Sequence, residues 1–312
     1  MSVDLAIVVP CFNEREVLLE TNRRLLDLLD RLTVQGLIRA GSCIHYVDDG
    51  STDGTWSVVE SLATADSRVH GIKLTRNRGH QVAVLAGILN VNGDAVVSID
   101  ADLQDDVLVI EEMLVEFQRG SEIVYGVRQS RSSDHLFKRF TARMYYGLMR
   151  RMGVELVDDH ADFRLLGRRA IEALRQFREV NLFLRGLVPL IGYRTVTVKY
   201  DRAPRHAGRS KYPLRRMLSF GWQGVTSFST VPLRLITLLG FLVSAGSFLM
   251  ILYVIHGSLV MKATIPGWAS SVVPIYFLGG IQLLSIGMLG EYVAKMYLET
   301  KQRPRYFIDR VV

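Results

Sequence analysis

Cysteine is almost missing from the chain: Cys11 and Cys43 are the two present among 312 residues. A disulfide-stapled scaffold is therefore excluded. Both are expected to be reduced, small buried residues rather than catalytic thiols. Met1–Pro10 lacks the basic start and cleavage pattern of a secretory signal, so none is expected there. No basic–aromatic nucleic-acid motif accompanies the formal net charge of +7, and nucleic acid is not an expected partner. Charge itself is missing from two long stretches: positions 235–261 and 263–290 hold no Asp, Glu, Lys or Arg. Elsewhere it is plentiful. With 49% apolar and 22% charged residues overall, neither a disordered chain nor a polytopic membrane protein fits. The composition describes a soluble domain joined to an apolar segment.

The apolar segment divides in two. Leu235–Ile255 is long enough, as a helix, to cross a bilayer core of about 30 Å. Pro266 and Pro274 make the start of the second run a poor helix, so its span is expected from about Val272 to Tyr292. The resulting division is a catalytic domain over 1–210, a juxtamembrane region over 211–232, and spans over 233–260 and 272–294. The spans are separated by an external loop, 261–271, and followed by a tail, 295–312. Basic residues crowd before the first span and after the second, and the loop between holds only Lys262. The positive-inside rule then puts both termini in the cytoplasm at a cell membrane. Gly279, Gly280, Gly287 and Gly290 suit close helix packing, so self-association is expected. Leu214, Leu218, Trp222, Val225 and Phe228 share a helical face and read as an amphipathic helix at the membrane surface.

The first 130 or so positions alternate strand and helix. Leu5–Val9, Ile44–Val47, Val69–Leu74, Ala95–Ile99 and Ile123–Tyr125 are continuous apolar runs, as in a parallel sheet covered on both faces. Helical runs fall between them at Glu14–Leu32, Asp53–Ala63, Gln81–Leu89 and Val107–Phe117. This order predicts a doubly wound α/β sheet that binds ligands at the carboxyl ends of its strands. The acidic residues gather there, in Asp48-Asp49-Gly50-Ser51-Thr52-Asp53 and Asp100-Ala101-Asp102-Leu103-Gln104-Asp105. Stacked carboxylates suit either a hard divalent cation or hydrogen bonds to sugar and base edges. Asp100 and Asp102 can present oxygens to one Mg²⁺ or Mn²⁺. Asp53 is expected to cap the following helix.

Taken together, Pro10…Asn13-Glu14, Asp48-Asp49-Gly50-Ser51, Arg76-Asn77-Arg78-Gly79-His80 and Asp100-Ala101-Asp102-Leu103-Gln104-Asp105 resemble the inverting family-two glycosyltransferases of the GT-A fold. Downstream, Asp162-Phe-Arg-Leu-Leu166, Arg185-Gly186, Arg205 with Gly208-Arg-Ser-Lys-Tyr212, and Arg303-Pro304-Arg305-Tyr306 resemble the polyprenyl-phosphate branch, bacterial bactoprenol glucosyltransferases above all. The resemblance implies a GT-A Rossmann-like sheet, interfacial helices and two C-terminal transmembrane helices. It implies a metal-dependent hexosyltransferase moving a sugar, glucose from UDP-glucose, to undecaprenyl phosphate in the membrane. The same reaction with another nucleotide sugar is an alternative, as is a non-catalytic scaffold. A processive synthase is disfavoured, because the Gln-x-x-Arg-Trp motif is missing.

The resemblance also implies roles. Pro10, Asn13, Glu14, Asp49 and Asp100 line the nucleotide pocket. Asp100, Asp102 and Gln104 hold the metal, and Asp102 with Asp162 is catalytic. Arg128 either adds positive charge near the donor or is merely solvated. Arg205, Arg209, Ser210 and Lys211 meet the acceptor phosphate, or form a collar for anionic lipid. Family analogy makes Asp162 the base. A lipid phosphate, with a second pKa of about 6, needs little deprotonation, so Asp162 is read as positioning the acceptor with Arg164. Ala161 stands where the family usually has glycine.

Overall fold

The computed structural model describes residues 2–128, 160–180, 182–201, 231–259 and 268–312. Arg205, Arg209, Ser210, Lys211 and nearly all of the amphipathic segment lie outside these residues. Two compact units result. One comprises the described residues up to Asp201 together with Gln302–Val312; the other runs from Val231 to Lys301.

The first unit is an eight-stranded sheet. Its strands are β1 (Leu5–Cys11), β2 (Cys43–Asp48), β3 (Val69–Leu74), β4 (Ala95–Ser98), β5 (Ile123–Arg128), β6 (His160–Gly167), β7 (Thr195–Tyr200) and β8 (Ile308–Val311). Their order is β7-β5-β6-β4-β1-β2-β3-β8, with β6 and β8 antiparallel to their neighbours. The helices are α1 (Leu18–Val34), α2 (Thr55–Ala65), α3 (His80–Asn90), α4 (Val109–Gln118), α5 (Arg168–Gln176) and α6 (Leu184–Leu190). The five expected strands and four expected helices are all present, with ends shifted by a few residues.

One sheet face packs Ile7, Val9, Tyr46 and Val97 against Leu25 and Leu29 of α1 and Met113 of α4. Each such side chain contributes roughly 1.5–3 kcal/mol of transfer free energy. On the other face α3 packs close to β1 and β2 at Gly87, where a Cβ would collide with Val8 and Val47. The first residue of α3, His80, lies beside Asp100 at the carboxyl end of β4.

Between β1 and β4 the strand order reverses: β2 and β3 follow on one side of β1, and β4 lies on the other. Crevices at such switch points are where open α/β sheets bind ligands. Strand β6 then enters antiparallel between β4 and β5, pairing Ser98 with Arg164. Its period-two pattern sends Phe163 and Leu165 into the apolar core and Asp162 and Arg164 to the opposite face.

The C-terminal residues, expected as a tail, complete the sheet instead, pairing Ile72 with Val311. Arg305 donates to the carbonyls of Glu179 (2.8 Å) and Phe177 (2.5 Å), and Asn90 Nδ2 donates to Tyr306 Oη (2.7 Å). The closing Arg-Pro-Arg-Tyr motif is thus the seam that fastens the returning chain.

The second unit contains α7 (Val231–Leu259) and α8 (Trp268–Thr300), which touch each other. Among the described residues, Phe277–Thr300 is the stretch long and apolar enough to cross a membrane. The span expected to start near Val272 is part of a helix that already begins at Trp268 and runs through Pro274. Proline removes one amide donor and strains the turn before it, but it does not end this helix. Asp53 also differs from expectation. Gly54, at φ 89°, is the N-cap of α2, and Asp53 sits one residue earlier, accepting the Thr55 amide at 3.0 Å.

Candidate active site

Three loops leave the carboxyl ends of β1, β2 and β3 and are tied to one another. Asn13, at φ 56°, donates its amide to Ser51 Oγ (3.0 Å) and accepts the Thr52 amide on Oδ1 (2.9 Å). The Glu14 amide donates to Thr55 Oγ1 at 3.0 Å. Asp49 accepts the amides of Arg78 and Gly79, at 2.7 and 2.8 Å. This grip requires glycine next door. Gly50 has φ 70°, and a Cβ there would stand 2.6 Å from the Asn77 nitrogen. Burial raises the pKa of Asp49, and the two amides offset part of that rise. Burial likewise raises Asp48, whose Oδ1 accepts the Ser51 amide at 3.2 Å.

The charged centre lies where β4 and β6 meet the start of α3. His80 Nε2 is 3.3 Å from Asp162 Oδ2 and 3.5 Å from Asp100 Oδ1. Arg164 Nη2 donates to Asp162 Oδ1 at 2.6 Å, and Arg185 Nε and Nη2 approach the same carboxylate at 3.4 Å. Burial opposes a charge on His80, but Asp100 and Asp162 outweigh it and push its pKa up to about 9. The two carboxylates thus favour its imidazolium form. Asp162 is also penalised by burial, yet His80, Arg185 and Arg164 hold it well below the usual carboxylate range. A carboxylate held so acidic is a weak proton acceptor and a strong anchor for cations. For Asp100, desolvation dominates, and the neighbouring Asp162, Asp105 and Asp102 add to it. Its pKa rises despite His80.

The loop after β4 is strained. Leu103 has φ 56°, a left-handed conformation costing a branched residue roughly 1–2 kcal/mol. The turn is held by the Gln104 amide on Asp102 Oδ1 (3.2 Å), by Thr21 Oγ1 on the Ala101 carbonyl (2.8 Å) and by Tyr200 Oη on Asp105 Oδ1 (2.5 Å). Such strain is concentrated at ligand sites, where the surroundings over-determine the backbone.

Pro10, Asn13, Glu14, Asp49, Asp100, Asp102, Gln104 and Asp162 therefore all lie on β1, β2, β4 and β6 or their carboxyl-end loops in the first unit. The structure adds the burial of two of the expected residues. Arg164, expected at the acceptor phosphate, is 1% exposed, because β6 is an interior strand. It supports Asp162 from beneath, and the more open Arg185 is the arginine that remains on the solvent side of Asp162. Asp49, expected on the nucleotide, is 2% exposed and each of its oxygens accepts a backbone amide of the 76–80 loop. Arg128 ends β5 opposite Tyr200. His80 is the central residue to which the sequence reading assigned no role. Its signal was position: the first residue of a helix, directly after Arg-Asn-Arg-Gly.

Comparison with known proteins agrees with this architecture. The profile of glycosyl transferase family 2 matches residues 6–175. An uncharacterized glycosyltransferase of Bacillus subtilis, YkoT, is 48% identical over 310 residues, covering 98% of this chain and 91% of that protein. A bactoprenol glucosyl transferase of Shigella phage SfX is 38% identical over 308 residues, covering 97% and 98%. Among solved structures, mannosyl-3-phosphoglycerate synthase from Rubrobacter xylanophilus is similar at 18% identity and a TM-score of 0.47, with 72% of each chain covered. The matched stretch runs from β1 into α5 and contains the whole His80–Asp100–Asp162 centre; the chain belongs to glycosyltransferase family 2.

Proposed function

We propose that this glycosyltransferase moves glucose from UDP-glucose to the phosphate of a membrane polyprenol, undecaprenyl phosphate, with inversion at the anomeric carbon. The observation that carries the reading is the charged centre at the sheet's switch point. A donor diphosphate needs cationic compensation, which a divalent ion on Asp100 and Asp102 would supply, and an acceptor phosphate needs a cationic face, for which the more open Arg185 is the candidate. Relatives named bactoprenol glucosyl transferase, similar over nearly the full chain, support the glucosyl group and the polyprenol acceptor.

An acceptor phosphate oxygen forms a bond to the anomeric carbon from the face opposite the leaving group. The bond from that carbon to the diphosphate oxygen breaks, and the nucleoside diphosphate departs with the electron pair. The acceptor, largely dianionic at neutral pH, gives up no proton, so no strong base is required. Asp162 fits this chemistry as an anchor. It holds Arg185 and the His80 imidazolium where they can face phosphate oxygens, so rate comes from positioning and charge compensation.

Asp100, Asp102 and Gln104 fit a hard divalent cation, Mg²⁺ or Mn²⁺. The donors are all oxygen, and burial, with Asp162, Asp105 and Asp102 close by, raises the pKa of Asp100 although His80 partly offsets it, so a further cation there would be favoured. A bound ion would neutralise the leaving diphosphate. Pro10, Asn13 and Glu14 line the nucleotide side. Arg205, Arg209, Ser210 and Lys211 are proposed at the acceptor phosphate, with Arg128 adding charge near the donor.

The chain is proposed to cross the membrane twice, through α7 and α8, with both termini cytoplasmic and the juxtamembrane 211–232 segment at the surface. The β3–β8 pairing supports an even number of crossings, since Gln302–Val312 returns to the same compact unit as β1–β7. Self-association through the glycine-bearing helix is part of the same proposal.

The test is transfer from radiolabelled UDP-glucose into an acid-labile, organic-extractable lipid by the detergent-purified chain, with and without Mn²⁺. Asp102→Asn should lower transfer at least about a hundredfold. Unchanged transfer would overturn the metal assignment. Label appearing only with a different nucleotide sugar would overturn the donor.

A further inference from the structure

Away from the charged centre, toward the start of β2, three metal-ligating side chains converge. Cys43 and His45 are two residues apart on β2 and share a sheet face. His70 on β3 is the register partner of His45. Cys43 Sγ lies 3.2 Å from His45 Nε2, and the two imidazoles stack with centroids 4.9 Å apart. One ligand atom from each of the three residues lies within 4.8 Å of the others. All three are half-buried, sheltered yet open to an entering ion.

We propose that Cys43, His45 and His70 form a second cation site, specific for a borderline-soft divalent transition metal, Zn²⁺ foremost. Tetrahedral zinc binds sulfur at about 2.3 Å and imidazole nitrogen at about 2.0–2.1 Å, which puts neighbouring donors about 3.5 Å apart. The observed donors, within 4.8 Å of one another, would have to rotate inward to reach that spacing. One thiolate and two imidazoles select zinc or its neighbours, whereas the all-oxygen set at Asp100 and Asp102 selects magnesium or manganese. The ion's own charge deprotonates the coordinating thiol. Three protein donors leave the fourth position to water.

Such an ion would staple β2 to β3. It would act beside the seam where Gly71, next to His70, exchanges backbone hydrogen bonds with Val312 (2.9 and 3.0 Å). The site would thus reinforce the sheet edge that receives the returning C-terminus, independently of glycosyl transfer.

The experiment uses the full chain in detergent, freed of metal, with Co²⁺ as a spectroscopic stand-in. One equivalent of Co²⁺ should produce a thiolate-to-cobalt charge-transfer band that Zn²⁺ abolishes and Mg²⁺ does not. Cys43→Ser should remove the band, and Cys11→Ser and Asp102→Asn should leave it. Alkylation of Cys43, followed by mass spectrometry on the unmutated chain, gives a readout free of folding defects. Zn²⁺ should slow it at least about tenfold, and Mg²⁺ should not. A missing band, a band that survives Cys43→Ser, or alkylation indifferent to Zn²⁺ would each overturn the site. None of these readouts uses sugar transfer, so failure of the proposed reaction leaves them intact.

Discussion

The two units place the same residue types in opposite settings. In the catalytic unit, Leu25 and Leu29 of α1 are at most 1% exposed, packed against a sheet. In the helical unit, Phe241 of α7 is 70% exposed and Leu283 of α8 is 73% exposed. Charge is distributed the other way. The catalytic unit buries Arg164 and half-buries its partner Asp162 on an interior strand, while α7 and α8 have charge-free centres. Contiguous exposed apolar surface of this kind marks a membrane or partner contact. The comparison teaches that apolar content alone says little about a segment. What matters is whether the fold supplies a covering layer or leaves that to lipid.

The comparison can be broken most directly at the buried charges. Asp162→Ala would leave Arg164 buried without its carboxylate, and the catalytic unit should lose about 3–5 kcal/mol in chemical denaturation. A loss below about 1 kcal/mol would mean that Arg164 is compensated elsewhere. Next comes the apolar core. Leu29→Ala should cost about 2–5 kcal/mol by the same measurement, because α1 cannot collapse onto the gap.

The third prediction concerns pH. The His80 pKa is raised from 6.5 to about 9, so its ion pairs stabilise the fold fully below pH 6.5. That contribution should drain away as pH rises through 9. In metal-free protein the denaturation midpoint should therefore fall between pH 6.5 and 9, and His80→Gln should flatten the slope. A slope that persists in His80→Gln would place the titrating group elsewhere. The smallest effect belongs to the helical unit. Leu283→Ala should shift the unfolding of detergent-solubilised protein by less than about 0.5 kcal/mol. A shift matching that of Leu29→Ala would show Leu283 packed against protein.

Legibility followed local physics. Strands β1–β5 announced themselves as apolar runs because a sheet covered on both faces needs them. Asp100 and Asp102 were legible because carboxylates crowded at a strand end have few uses. β6 was harder to see: its Asp162 and Arg164 look like surface residues, and only the neighbours β4 and β5 make them interior. β8 was hidden for a related reason. Ile308–Val311 is too short to form alone and gains its hydrogen bonds from β3, more than two hundred residues earlier. The cluster of Cys43, His45 and His70 joins two strands whose register no local pattern displays.

By itself, then, the sequence determined the periodic elements, the acidic loops and the two charge-free runs. Each depends on residues within a turn or two of one another. Tertiary structure alone decided which arginine faces solvent, that Asp49 serves the 76–80 loop, and that His80 lies between Asp100 and Asp162. Those outcomes depend on strand order and on pairing between distant segments. Long-range geometry sets desolvation and charge proximity, and these two quantities turn similar carboxylates into one held acidic at Asp162 and one whose pKa is raised by burial at Asp100.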